Sequence, residues 1–197
     1  ARVWDTTTWR TVAELQGHTG YVSSVAFSPD GRFVVTSSRD DTARIWDTAT
    51  WRTVMELKGH TGAAWSAAFS PDGKRIVTAS SDRTARVWET ATGKVITELR
   101  GHTGLVMTAA FSPDGERIIT ASADMTVRLW MAGSGQVIAV LRNHTDFVNS
   151  AAFSPDGALI LTASDDGTAR INVYQVCNPT EELITLARTR VTRQLTP

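Results

Sequence analysis

A single cysteine, Cys177, stands in 197 residues, so no intrachain disulfide framework is available and a reducing compartment, the cytoplasm, is the expected setting. A surplus of either charge is also missing: 20 Lys and Arg meet 20 Asp and Glu, and the two signs alternate along the chain. Nucleic-acid and acidic-membrane binding draw on gathered basic residues, so neither partner is expected. Long hydrophobic runs are lacking. The longest, Val137 to Leu141, is far short of the roughly 20 residues that a membrane-crossing helix needs, and the first thirty residues have no basic start followed by an apolar stretch. What the chain does have is 42% apolar residues, enough for a core, and an internal repeat.

Gly17-His18 returns as Gly59-His60, as Gly101-His102 and then as Asn143-His144, each step being 42 residues. Ser-Pro-Asp-Gly recurs in the same register from Ser28, Ser70, Ser112 and Ser154, and an arginine recurs at Arg2, Arg44, Arg86, Arg128 and Arg170. A tryptophan closes each unit at Trp4, Trp46, Trp88 and Trp130, with Asn172 in the fifth place. There are therefore four full units after a partial first one. Such regularity describes stacked copies of one supersecondary element rather than independent globules.

Within a unit the spacing is that of strands, as in Val22–Phe27, and helical spacing is absent. In the Pro-Asp-Gly turn Pro fixes φ, Asp bonds its own backbone and Gly accepts positive φ, which makes the flanking segments a hairpin. Thr42–Trp46 and Arg52–Leu57 follow after further turns, so each unit holds four short strands.

A four-stranded unit of this length, with Gly-His ahead of its first strand and Trp-Asp at the end of its third, resembles the WD40 repeat of β-propeller proteins. The resemblance covers residues 1 to about 173. It implies an all-β propeller segment over residues 1–176, followed by a C-terminal cap or tail over 177–197. Each repeat would supply three strands of one blade and the outer strand of its neighbour. Blade sheets are expected at about 21–57, 63–99 and 105–141, with a last one from 147 that has no obvious fourth strand.

The four histidines are each followed 22 residues later by an aspartate, Asp40, Asp82, Asp124 and Asp166, and each unit carries a strand serine at Ser38, Ser80, Ser122 or Ser164. Histidine, carboxylate and hydroxyl resemble a catalytic triad. A catalytic set, however, occurs once, where a scaffold opens to admit substrate, whereas these recur unchanged in every unit. The family resemblance implies a structural role, a buried chain from Asp to His to Ser or Thr to the Trp N–H. For this chain that means His18, Asp40, Ser38 and Trp46; His60, Asp82, Ser80 and Trp88; and His102, Asp124, Ser122 and Trp130. Asn172 cannot complete a fourth chain, so the last unit is expected to be the weakest or a cap. Glu89 and Met131 replace the Asp after Trp, a mild departure.

No cofactor or metal is expected. Gly-His-Thr-Gly precedes strands rather than helices and makes a poor phosphate loop, and imidazoles a blade apart cannot share an ion. Cys177 has no histidine nearby in sequence and reads as a bystander thiol.

Function then falls to positions that differ between near-copies. Tyr21, Ala63, Leu105 and Phe147 form one such column, and Ser23, Trp65, Met107 and Asn149 a second. Arg39, Ser81, Ala123 and Asp165 form a third, Asp41, Arg83, Met125 and Gly167 a fourth. In the family the matching positions lie on the top face around the channel mouth, so the expected partner-binding residues are Tyr21, Ser23, Arg39, Trp65, Arg83, Leu105, Met107, Phe147, Asn149 and Asp165. Aromatic, Met and Arg side chains are the usual contact anchors. The competing reading has Trp65 and Met107 plugging the channel. Trp9 and Trp51, against Gly93 and Gly135, vary in the turn before the outer strand.

Thr180 followed by Glu181 and Glu182 reads as the start of a short helix with Leu183, Ile184, Ala187 and Val191 on one stripe and Arg188, Arg190 and Arg193 towards its end. This segment is expected to cap the last blade or to dock a partner. It is similar to the tail that follows WD40 arrays in bacterial signalling proteins carrying a STAND-type ATPase. Three arrangements are open: an arc of a longer protein, which is favoured, two arcs pairing into one ring, or a four-bladed ring in which residues 10–15 complete the last blade. Open edges invite self-association. The favoured function is a non-enzymatic scaffold or sensor that docks a protein or peptide; its competitor is a hydrolase-like enzyme working in the channel.

Overall fold

The computed structural model describes residues 1–173. Seventeen strands fall into five antiparallel sheets, and no helix occurs among the described residues. The first sheet pairs β1 (Arg2–Trp4) with β2 (Thr11–Glu14). The second holds β3 (Val22–Phe27), β4 (Phe33–Ser38), β5 (Ala43–Asp47) and β6 (Thr53–Leu57). The third holds β7 (Ala64–Phe69), β8 (Arg75–Ser80), β9 (Ala85–Glu89) and β10 (Val95–Leu99). The fourth holds β11 (Val106–Phe111), β12 (Arg117–Ser122), β13 (Val127–Met131) and β14 (Val137–Leu141). The fifth has three strands, β15 (Val148–Phe153), β16 (Leu159–Ser164) and β17 (Ala169–Val173). Strands in each sheet follow chain order, and the second, third and fourth sheets are four-stranded meanders.

The first hairpin of each unit is built by its Ser-Pro-Asp-Gly turn. The Ser28 hydroxyl donates to Asp30 (2.6 Å) and accepts from the Phe33 N–H (2.9 Å), while the Gly31 N–H closes the turn on the Ser28 carbonyl (2.9 Å). Gly31 sits at φ 71°, where a side chain would be strained.

The core lies between sheets rather than within them. Val35, Ala43, Ile45 and Leu57 of the second sheet pack against Ala67, Ile76 and Trp88 of the third. One step on, Val77, Ala85, Val87 and Leu99 meet Ala109, Ile118 and Trp130, and then Ile119, Val127 and Leu129 meet Val148, Ala151 and Ile160. Trp88 and Trp130 thus each fill the face of the preceding sheet. Burying one such side chain stabilises by about 1.5–3 kcal/mol, so neighbouring units hold each other.

On the fifth sheet the face equivalent to Val35, Val77 and Ile119 is uncovered among the described residues: Leu161 is 50% and Ile171 69% exposed. The strand over residues 10–15 does not complete this sheet. β2 pairs with β1, and β17 is the edge of the fifth sheet among the described residues, so the four-bladed ring, one of the three arrangements left open by the sequence, is not formed this way. The helix expected from Thr180 onwards lies outside the described residues.

Candidate functional site

Each histidine ties three segments together. His18 Nδ1 lies 2.8 Å from Asp40 Oδ2, its Nε2 lies 2.7 Å from Thr36 Oγ1, and the Trp46 indole N–H donates to the same Thr36 oxygen at 2.9 Å. The pattern recurs at His60 with Asp82 (2.7 Å), Thr78 (2.7 Å) and Trp88 (2.8 Å), and at His102 with Asp124 (2.8 Å), Thr120 (2.7 Å) and Trp130 (2.8 Å). Because the indole N–H occupies the threonine oxygen as donor, the single hydroxyl proton goes to His Nε2, and the ring proton on Nδ1 goes to the carboxylate.

The hydroxyl in these chains is a threonine, not the serine expected from sequence. Ser38, Ser80 and Ser122 lie two residues further on and hold the next turn instead, accepting the backbone N–H of Asp40, Asp82 and Asp124 at 3.0–3.1 Å. Register explains the choice. Trp46 pairs with Val34, and the next residue on the same face of β4 is Thr36; Ser38 is a further two residues, about 7 Å, along the strand.

The carboxylates are held ionised. Burial works against the charge of Asp40, yet the Thr42 hydroxyl, His18 and the Thr19 N–H outweigh it and keep the carboxyl well below the usual range. Asp82 and Asp124 are lowered in the same way, against burial, by their histidines and by Thr84 and Thr126. At Asp166 the Thr168 hydroxyl has the largest effect, opposed by burial and helped by His144. Thr36, Thr78 and Thr120 are fully buried, so no substrate can reach the hydroxyl that a triad would use as nucleophile. Among the described residues no group of three or more His, Cys, Asp or Glu is placed to hold a metal ion.

The fifth unit keeps part of the chain, with His144 at 2.7 Å from both Asp166 and Thr162. Where the other units have Gly and Trp it has Asn143 and Asn172, and the Asn143 amide donates to the Asn172 carbonyl oxygen at 2.7 Å. At Gly59 an added Cβ would lie 3.4 Å from the Trp88 ring and 2.4 Å from Arg86. The arginine thus lies too close for a side chain here, with the indole in ordinary contact; the fifth unit, with Asn172 in place of the indole, seats a second amide at the glycine position.

Every variable column has a fixed backbone device. Ser23, Trp65, Met107 and Asn149 are the unpaired residues of a β-bulge near the start of β3, β7, β11 and β15, where the flanking residues keep their partners. A bulge turns its extra side chain out of the ladder. The backbone N–H groups of Arg39, Ser81, Ala123 and Asp165 each donate to the carbonyl of Tyr21, Ala63, Leu105 and Phe147 at 2.9 Å. Asp41, Arg83 and Met125 stand at φ 66–70°, in the left-handed region where Gly167 also sits.

On this frame Tyr21, Ser23, Arg39 and Trp65 come together around a hollow of about 520 Å³ that Val22 also lines. The Arg39 guanidinium lies 4.6 Å from the Trp65 ring centre and 5.6 Å from that of Tyr21, and the Trp65 indole donates to Ser81 Oγ at 2.7 Å. Asn149 donates to Asp165 across the same two columns of the fifth sheet. Leu105, Met107, Phe147 and Arg83 hold the matching offsets but make no hydrogen bond, ion pair or cation–π contact with the Tyr21 group. Leu105 and Phe147 are exposed, and Met107 is half-buried. A second hollow of about 380 Å³, lined by Phe27, Phe69, Phe111 and Phe153 with the turn prolines, uses residues identical in every unit and belongs to the shared framework.

The family model of the WD domain, G-beta repeat, matches residues 9–47, 51–89, 93–131 and 135–171. Over 42 residues the chain is 48% identical to nuclear distribution protein PAC1 of Arthroderma otae, which covers 21% of this chain and 9% of that relative. Over 40 residues it is 48% identical to Elongator complex protein 2 of Rattus norvegicus, covering 20% of this chain and 5% of that protein. The chain thus spans a small part of the length of these relatives, about one repeat in each match. Four matched repeats cover most of the chain, and with the sheets that carry them they make it a member of the WD40-repeat family.

Proposed function

We propose that this chain is a non-catalytic docking scaffold whose partner, a protein or peptide, seats on the rim formed by the four variable columns. The single observation that carries this reading is the division of labour within each unit. Backbone geometry at the bulge, at the Tyr21–Arg39 type of bond and at the left-handed turn is copied from unit to unit, while the side chains it displays change from Ser to Trp to Met to Asn. Structure therefore demands the frame and leaves the side chains to contact. The displayed set of Tyr21, Trp65, Met107, Phe147, Arg39 and Arg83 has the aromatic, Met and Arg character of contact anchors. The names of the relatives, one of them a protein of a complex, accord with assembly work. A place within a larger bacterial signalling protein in the cytoplasm is part of the proposal and rests on the resemblance of the C-terminal stretch; self-association through the β17 edge is a further part of it.

Random dodecapeptides selected by display on the full chain test the rim. The Trp65→Ala/Met107→Ala double variant should bind the selected peptides at least about tenfold more weakly with its melting temperature little changed. Retained affinity rejects the rim.

A further inference from the structure

Arg39 differs from the ion-paired arginines Arg2, Arg44 and Arg86. Arg44 and Arg86 each face a glutamate, Glu56 at 3.2 Å and Glu98 at 3.3 Å, and Arg2 faces Glu14 at 2.9 Å. Arg39 forms no ion pair and no side-chain hydrogen bond. Its neighbour Asp40 is committed to His18, Thr19 and Thr42, and Asp41 lies beyond ion-pair distance. What holds Arg39 is aromatic: the faces of Trp65, itself anchored on Ser81, and of Tyr21. Stacking engages the flat of a guanidinium and leaves its N–H donors, which point outward in the plane, uncommitted. The neighbouring Ser23 Oγ also lacks a hydrogen-bond partner.

We infer that the Tyr21–Arg39–Trp65 hollow is the receptor for one acidic side chain, an Asp or Glu of a docking peptide. This rests on the rim reading above and names the chemistry that the rim selects. A carboxylate accepts two parallel hydrogen bonds from a guanidinium edge, and a single cation matches its single negative charge. The stack fixes Arg39 before the ligand arrives, so little side-chain freedom is lost on binding. Tyr21, 79% exposed, offers an apolar face beside the cation for the stem of the acidic residue or its neighbour. The other residues that line the hollow, Tyr21, Val22, Ser23 and Trp65, bring no negative charge to it. The equivalent place in the last unit carries Asp165, already bonded to Asn149, so the rim distinguishes its two ends by sign.

The test uses peptides selected by display on the full chain, with binding measured by calorimetry. Selected peptides are expected to share one acidic position. Replacing it by Gln or Asn should weaken binding to the unmodified chain about tenfold or more, which corresponds to at least about 1.4 kcal/mol. The same peptide change should cost nothing further on Arg39→Gln, and Arg39→Glu should prefer Lys at that position. Because Arg39 is exposed, both variants should melt with the parent, and circular dichroism checks this. If the peptides carry no acidic position, or if the acidic position matters equally with and without Arg39, the inference is overturned. The rim reading survives either result provided that Trp65→Ala/Met107→Ala still abolishes binding, and falls with it if that variant binds normally.

Discussion

The paired asparagines of the fifth unit give a quantitative test of how the units are built. At Trp46, Trp88 and Trp130 the indole is 1–2% exposed, and its tip lies 3.4–3.6 Å from where a Cβ on the facing glycine would be. Asn172→Trp alone drives that ring into the Asn143 side chain and breaks the 2.7 Å amide bond, for overpacking of about 1–3 kcal/mol. Asn143→Gly alone strands the Asn172 amide and opens a gap, costing about 1–3 kcal/mol. Made together, the changes recreate the Gly-Trp pair. The indole covers the fourth sheet for about 1.5–3 kcal/mol, and its N–H reaches Thr162, which already holds His144. The two substitutions should therefore couple favourably by about 3 kcal/mol or more. Urea unfolding of the four proteins gives the coupling, and amide exchange in β16 and β17 locates it, because a repeat array need not unfold in one step. Additivity to within about 0.5 kcal/mol would refute the idea that Gly and Trp are one design choice.

Two further predictions concern charge. Arg128 faces Val140, whereas Arg44 and Arg86 at the same offset face Glu56 and Glu98 and bond them through Nη2; the Nε of all three is buried without a partner. Val140→Glu should restore the pair and raise stability by roughly 0.5 kcal/mol in urea titration, a small gain because such pairs are partly exposed; a loss of about 1 kcal/mol or more contradicts it. The second follows from Asp40, Asp82, Asp124 and Asp166, whose carboxyls are lowered in the folded chain. A lowered folded value means the unfolded chain takes up protons first, so this stability is fully present above the ordinary carboxylate value near about pH 4 and drains away below it. The urea midpoint should fall from pH 5 to pH 3, and less steeply in Asp82→Asn than in the parent; equal slopes count against the chains as a source of stability.

Much of the architecture was legible because one register repeats without insertion. Pro-Asp-Gly marked the hairpins, and Gly-His and Trp bracketed each unit closely enough to place the sheets. What escaped depends on cross-strand geometry. Thr36 and Ser38 share one face of β4 and both persist in every unit, so spacing along the chain cannot choose between them; the pairing of Trp46 with Val34 does. The bulge at Ser23, Trp65, Met107 and Asn149 leaves no composition mark, since any residue serves as the extra one. Variation down that column was visible, and its cause was not. The Asn143–Asn172 bond is a contact over 29 residues that no local pattern announces. The stacking of Arg39 on Trp65 crosses from one unit to the next in the same way.

Stability and peptide affinity measured side by side on two variants bear most directly on the account. Thr78→Val keeps shape but strands both His60 Nε2 and the Trp88 N–H, so it should cost about 2–4 kcal/mol while the protein that remains folded binds selected peptides normally. Trp65→Ala/Met107→Ala should do the reverse, losing affinity at nearly parental stability. If Thr78→Val folds as well as the parent and loses affinity instead, the buried histidine chains are not the supports and the rim is not the contact surface.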